Sequence, residues 1–398
     1  MVKIINKAFK YRLYPTPEQC KVLASCFGQS RFVYNYFLRK RIDYYAANKG
    51  QKKQSLNYHD TAKMLTELKK QPEFVWLKES NSQSLQQSLR NLDAAYMHFF
   101  KDSFKFPNFK KKNNKQSFSV PQHFTVDVDA KLLYIPKFIP IKFVPHRPLE
   151  GTAKSITISM SPSGKYFVSV LCEVEKAILP KRSGGEVGVD LGVKSFAVTS
   201  DNERIESPNY LRKSEEKLKK LQRLLSRKVK GSNKKNKARL KVARVHEKIT
   251  NQRNDFLHKL SNRLVRENQS IFAESLNVKG IMANHRLAKS VSDAGWGEFL
   301  RQIKYKSEWE GTHFGQIDRF FPSSKRCSEC GWINQSLTLK DREWVCQNCG
   351  AIIDRDLNAA HNILLFGKIS VGQGLPKHKR PGRAGAVRPL AELGSSLL

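Results

Sequence analysis

The sequence predicts a multidomain α/β protein, and three observations carry that prediction. Segments with a period of two occur near the N-terminus and again between residues 156 and 174. Stripes with helical spacing fill residues 85–99 and much of 209–268. Two short apolar runs each end in a carboxylate, and a third acid opens a later helical pattern. A chain of 398 residues is long enough for two to four domains with more than one core.

Lys7–Tyr14 sets Phe9, Tyr11 and Leu13 against Lys10 and Arg12, the pattern of a half-buried strand with a basic side. Pro15-Thr16-Pro17-Glu18-Gln19 then starts a helix, with Thr16 as N-cap, Pro17 as first residue and Gln19 as third. Leu23, Phe27, Val33 and Phe37 continue it, and Leu85, Leu89, Leu92, Tyr96 and Phe99 make a second stripe. Residues 16–104 are therefore expected to form a helical domain with these stripes as core. Ile156, Ile158 and Met160 alternate with small polar residues. Ser161-Pro162-Ser163-Gly164 makes a turn, and Val168, Val170, Cys172 and Val174 alternate back. Residues 105–180 thus predict antiparallel β structure that Lys7–Tyr14 could join. Lys105–Lys115, interleaved with Phe104, Phe106 and Phe109, reads equally as a base-stacking segment along a phosphate backbone or as a solvated loop anchored by aromatics.

Residues 209–268 predict a basic helical pair, with Leu211, Leu218, Leu221 and Leu225 in one seam and a break at Gly231-Ser232-Asn233. The excess of Lys and Arg there favours a polyanion groove over a salt-bridged solvent face. Residues 371–398 are basic and rich in Gly and Pro, a tail expected to be disordered.

The formal net charge is +37, from 72 Lys+Arg against 35 Asp+Glu. Self-repulsion on this scale calls for a polyanion, and nucleic acid fits better than a membrane because the basic residues are spread along the chain. No apolar run approaches the length of a membrane span, and the N-terminus lacks the apolar core of a secretory signal. A cytoplasmic protein without a membrane partner is expected. Seven cysteines, four of them in two tight pairs, suit a metal site in a reducing compartment better than a disulfide framework.

Within Glu186–Thr199, Val187-Gly188-Val189 delivers one carboxylate, Asp190. A turn at Gly192 and the run Phe196-Ala197-Val198 complete a predicted β-hairpin with the acid at its hinge. A carboxylate buried there needs a Lys, an Arg or a divalent metal; an aspartate capping its own turn is the plainer alternative. Ser270-Ile271-Phe272-Ala273 delivers a second acid, Glu274, and Asp354-Arg355-Asp356 opens a helical pattern through Ala359 and Ala360. With Asp354 as N-cap, Asp356 falls at the second helical position, on the border of the buried stripe. Three carboxylates converging at one end of a sheet could hold two hard divalent cations, Mg2+ in the first instance. Such ions activate water and stabilise the leaving oxygen in phosphodiester cleavage.

Cys327-x2-Cys330 and Cys346-x2-Cys349 stand fifteen residues apart, and a glycine follows each pair. Two such pairs straddle one tetrahedral Zn2+, and four protein ligands leave no position for chemistry, so the ion is structural. Cys20, Cys26 and Cys172 lie in apolar contexts and are expected in the core.

Taken in order, GVDLGVKSFAV, FAESLNVKGI, SDAGWGEFL, FPSSKRCSECG, CQNCG and DRDLNAAHNI resemble the TnpB (OrfB) proteins of bacterial insertion sequences, compact relatives of the type V CRISPR effectors. KAFKYRLYPTPEQ and SRFVYNYFL extend the resemblance over nearly the whole chain except the tail. It implies a split RuvC-like, RNase H-like nuclease domain at 181–320 and 351–370, with a zinc ribbon inserted at 321–350. It implies an N-terminal wedge β-barrel, 1–15 and 105–180, interrupted by a helical recognition domain at 16–104. It further implies a guide RNA from the transposon end and cleavage of double-stranded target DNA beside a short flanking motif; one protein chain per RNA is expected. Asp190, Glu274 and Asp356 match the family's catalytic acids. Tyr58 and Gln86 match positions that read the flanking motif, although the recognition segment is the least similar part. Arg253 would face the heteroduplex, or pair with Asp255 or another acid. A nuclease-silent RNA-guided repressor and a zinc-ribbon transposition factor without RNA are the alternatives.

Overall fold

The computed structural model describes residues 2–51, 55–101, 104–113, 115–178, 184–338 and 340–370; the predicted tail at 371–398 lies outside the described residues. The chain divides into two compact units. The first comprises Met1–Pro180, Asn209–Leu260 and Trp309–Gly311, and the second comprises Lys181–Pro208, Ser261–Glu308 and Thr312–Leu398.

In the first unit, strand β1 (Val2–Leu13) leads into helices α1 (Pro17–Ala47), α2 (Tyr58–Leu68) and α3 (Ser82–Phe100), with a 3-10 segment at Pro72–Glu79. Six strands follow: β2 (Gln116–Val120), β3 (Thr125–Asp127), β4 (Leu132–Tyr134), β5 (Ile141–Val144), β6 (Thr152–Met160) and β7 (Tyr166–Ala177). They form one seven-stranded antiparallel sheet in the order β2-β6-β7-β1-β5-β4-β3. β1 pairs with β7 from Val2–Ala177 to Leu13–Tyr166, a longer strand than the alternation at Lys7–Tyr14 predicts. Phe9, Tyr11 and Leu13 are buried with Ile156, Ile158, Val168 and Val170, so the period of two does select the core face. Turn residue Gly164 has φ +83° and donates its N–H to Ser161.

The capping box at α1 forms as the sequence predicts. Gln19 N donates to Thr16 Oγ1 (3.3 Å), and Thr16 N donates to Gln19 Oε1 (2.9 Å). Val33, Phe37 and Leu38 of α1 pack with Leu85, Leu89 and Leu92 of α3 in a separate cluster. The basic pair is α4 (Tyr210–Ser226) and α5 (Asn233–Glu267), broken around Gly231. Cys26 and Cys172 are buried, and Cys20 is half-buried.

The second unit carries the mixed sheet. Its strands are β8 (Gly185–Leu191), β9 (Ser195–Thr199), β10 (Arg204–Glu206), β11 (Asn268–Glu274) and β12 (His313–Ile317), in the order β10-β9-β8-β11-β12. β8, β9 and β10 are antiparallel neighbours, whereas β8, β11 and β12 are parallel. Parallel neighbours need long connections. The one from β11 to β12 contains helices α6 (Val278–Ala283), α7 (His285–Ala294) and α8 (Trp296–Glu310). A two-stranded ribbon, β13 (Glu343–Val345) and β14 (Ile352–Asp354), leads into α9 (Arg355–Ser370). Among the described residues no helix is long and apolar enough to cross a membrane.

Candidate functional site

Strand register brings two of the acids together. β8 and β11 run parallel with Val189 beside Ala273, so the next residues, Asp190 and Glu274, emerge at the same sheet end. The hairpin predicted at Glu186–Thr199 is β8–β9, with Asp190 opposite Val198.

Helix α9 adds the third acid, and Gly188 lets it approach. A Cβ on Gly188 would lie 2.1 Å from the Ala360 carbonyl oxygen and 2.7 Å from Leu364 N, so a side chain there would push the helix off the strand. Opposite, a Cβ on Gly367 would lie 2.2 Å from the Phe272 ring. His361 Nε2 meets the Ser200 carbonyl at 2.8 Å and ties the helix to the end of β9. Asp354 is the N-cap, its Oδ1 accepting from Leu357 N (2.8 Å) while its Oδ2 pairs with Arg204 (2.6 Å). Asp356 therefore occupies the second helical position and points to its own cations. Its Oδ1 accepts from Arg355 (3.0 and 3.2 Å), and its Oδ2 lies 3.4 Å from Arg342.

The three acids feel one another. Asp190 is half-buried as a residue, while its carboxyl is desolvated. Desolvation, then the nearby charges of Glu274 and Asp356, push it up to about 8, with Arg355 opposing. Burial also raises Glu274, and the Ser323 hydroxyl, donating to its Oε1, works against that shift. At neutral pH and without a cation, Asp190 is thus held mainly protonated.

The sequence reading did not single out the groups around these acids. Ser323 is one. Asn358 and Asn362, one turn apart on α9, are two more. Both are buried, and their amides donate to backbone carbonyls of the segment leading into the cysteines. Asn358 Nδ2 reaches Arg326 (2.7 Å) and Ser323 (3.3 Å), and Asn362 Nδ2 reaches Arg326 (2.6 Å) and Ser323 (2.8 Å). An Asn pair at i, i+4 on the helix stripe shared with Ala359, Ala360 and Ile363 was the available hint.

The four cysteines converge on one point. The Sγ atoms of Cys327, Cys330, Cys346 and Cys349 all lie within 4.8 Å of one another. Each pair forms a knuckle. Gly331 N donates to the Cys327 carbonyl (2.9 Å) and Gly350 N to that of Cys346 (2.8 Å), with φ +82° and +74° at the two glycines. Four thiols at this spacing suit one tetrahedral soft ion such as zinc. Among the described residues they are the one set of three or more His, Cys, Asp or Glu side chains drawn close enough to share an ion; the carboxylates stand farther apart.

Tyr58, Gln86 and Arg253 belong to the first unit, the three acids to the second. Tyr58 opens α2 half-buried, with the Arg90 guanidinium 5.1 Å from its ring; Gln86 is exposed on α3. Arg253 is half-buried on α5, and Asp255 pairs with Lys259 at 2.8 Å.

Three family profiles match. One described as "Probable transposase", of the IS605 OrfB type, covers residues 169–285. A Cas12f1-like TNB domain covers 296–363, and a helix-turn-helix domain of the same OrfB type covers 1–50, a stretch that here forms a strand and one long helix. A Streptomyces pristinaespiralis protein named "Putative RNA-guided DNA endonuclease" is 40% identical over 390 residues, spanning 97% of this chain and 96% of its own. "Putative RNA-guided DNA endonuclease InsQ" of Escherichia coli K12 is 35% identical over 379 residues, 91% and 92% of the two chains. A structure described as "Cryo-EM structure of the Cas12f1-sgRNA-target DNA complex" shares the fold, with TM-score 0.54 at 13% identity over 90% of this chain and 98% of that one. With relatives this similar along almost its full length, the chain belongs to the TnpB (OrfB) family of insertion-sequence proteins.

Proposed function

We propose that this protein is an RNA-guided DNA endonuclease of a transposable element, with Asp190, Glu274 and Asp356 as its catalytic acids. The observation that carries this reading is geometric: Asp190 and Glu274 emerge at the shared end of β8 and β11, and Asp356 opens the helix packed against Gly188 of β8. Glu274 and Asp356 help push Asp190 up to about 8, a configuration that a divalent cation would relieve. Three carboxylates are the donor set that hard ions such as Mg2+ take. When bound, a pair of such ions would activate water and stabilise the leaving oxygen of a phosphodiester. Asp190 and Glu274 would supply oxygens from the sheet and Asp356 from α9, exchanging Arg355 and Arg342 for metal.

The remaining assignments follow the same reading. Cys327, Cys330, Cys346 and Cys349 hold a structural zinc in a ribbon at 321–350, inserted in a RuvC-like domain at 181–320 and 351–370. The β-sheet of 1–15 and 105–180 serves as the wedge and 16–104 as the recognition domain, where Tyr58 and Gln86 read the flanking motif. Guide RNA from the transposon end pairs with one strand of the target, so base pairing supplies most of the sequence choice. Arg253 faces that heteroduplex. The exposed Lys219, Lys220 and Arg223 of α4, with Arg227 at its C-cap, offer phosphate contacts.

Purification with co-bound RNA, sequencing of that RNA and cleavage of a matching duplex in Mg2+ test the proposal. Asp190→Ala should abolish cutting while RNA and target binding persist. Target binding without cutting by the wild-type protein would favour the repressor, and purification without structured RNA would favour the transposition factor.

A further inference from the structure

We infer that Ser323 is a positioning residue that aims Glu274 at the divalent-metal site, and that Asn358 and Asn362 of α9 hold Ser323 in place. This rests on the proposed role of Glu274. Glu274 closes β11, and the carboxylate beyond that last backbone position needs something to fix its rotamer. The Ser323 hydroxyl occupies one carboxylate oxygen, Oε1, and leaves Oε2 as the other donor.

Ser323 belongs to no regular element. It lies between β12 and the first cysteine knuckle, so its position must be imposed from outside. Two buried amides impose it. Asn358 Nδ2 donates to the carbonyls of Ser323 (3.3 Å), Ser324 (3.4 Å) and Arg326 (2.7 Å), and Asn358 Oδ1 accepts from Ser328 N (2.8 Å). Asn362 Nδ2 donates to the Ser323 (2.8 Å) and Arg326 (2.6 Å) carbonyls. Backbone bonds brace the same turn, with Arg326 N donating to the Pro322 carbonyl (2.9 Å) and Asn334 N to that of Lys325 (2.9 Å).

The geometry joins two acids through one helix. α9 carries Asp356 in its first turn, and half a turn later Asn358 grips the segment whose serine grips Glu274. A movement of α9 thus carries the donor of Glu274 along with Asp356. An outer hydrogen-bond partner that fixes a ligating carboxylate typically contributes about 10–100-fold to metal affinity.

The test is Mn2+ binding, read by calorimetry on the full protein–RNA complex, beside the Mg2+ concentration that gives half-maximal cleavage. Ser323→Ala should weaken Mn2+ binding by about tenfold or more and raise the Mg2+ requirement by a similar factor. Zinc content, RNA binding and melting temperature should stay at wild-type values. Ser323→Thr, which keeps the hydroxyl, should recover most of the affinity. Unchanged Mn2+ affinity and Mg2+ requirement in Ser323→Ala would overturn the inference while leaving the nuclease reading intact, provided Glu274→Gln still loses Mn2+. Unchanged Mn2+ binding in Glu274→Gln would overturn both. A Thr variant as weak as the Ala variant would also count against a hydroxyl-specific role.

Discussion

Asp190 is the residue whose ionisation is most perturbed toward function. Its folded value of about 8 lies above the usual 3.8 of an aspartate, so the folded state binds the extra proton between those limits. The contribution of Asp190 to stability therefore falls as pH rises through that window and is constant above and below it. Without Mg2+, the wild type should fall increasingly below Asp190→Asn in melting temperature from pH 4 to 8. Asp190→Asn should flatten the curve and raise the melting temperature at pH 8, with the gain vanishing toward pH 4. Thermal unfolding of both proteins across that range checks it, and parallel curves would remove the charge conflict from the site. A stabilising change that destroys activity is what a strained catalytic acid should show. Asp190 and Glu274 were legible in the sequence because each ends an apolar run. Ser323 was not, because its importance depends on a partner 49 positions away and nothing local distinguishes it from any loop serine.

Two aspartates at the start of α9, one capping it and one in its first turn, do different work, and substitution should separate them. Asp354 caps the helix and pairs with Arg204. Asp354→Ala should cost on the order of 1 kcal/mol, and Asp354→Asn should leave a partly active protein because Asn is a comparable cap. Asp356→Asn should abolish cleavage with little change in unfolding temperature. Cleavage and melting curves for the three variants decide it, and an active Asp356→Asn beside an inactive Asp354→Asn would reverse the assignment. The ribbon offers a further check at this scale. Cys346→Ser should lose zinc and unfold the knuckles, since metal binding supplies most of the folding energy of so small a module. Elemental analysis of the wild type and variant measures it, and a wild-type protein free of zinc would refute the premise.

The cap at Thr16, the β6–β7 hairpin and the two cysteine knuckles were readable because their signals are local. The short strands β3–β5 were not, since strands of three or four residues carry too few alternations and their pairing decides them.

At the scale of the molecule, the net charge of +37 sets the expectation. Target affinity of the RNA complex should fall steeply with salt, with a log–log slope that scales with the phosphates neutralised. Binding measured from low to moderate salt tests it, and a nearly flat response would exclude an electrostatic groove. The charge was plain in the composition. Its division between guide and target was not, because both present the same phosphate chemistry.

The order in which the acids appear along the chain has a temporal meaning. Asp190 and Glu274 lie on strands that can pair once β11 exists, but Asp356 arrives only with α9. At about 5–20 residues per second, a ribosome needs on the order of 5–20 s to make the stretch from Glu274 to Ser370. For that interval a nascent chain carries its basic residues while the proposed cutting centre still lacks Asp356. On the proposed reading, the order of synthesis holds back the third acid until α9, the last described helix, is made.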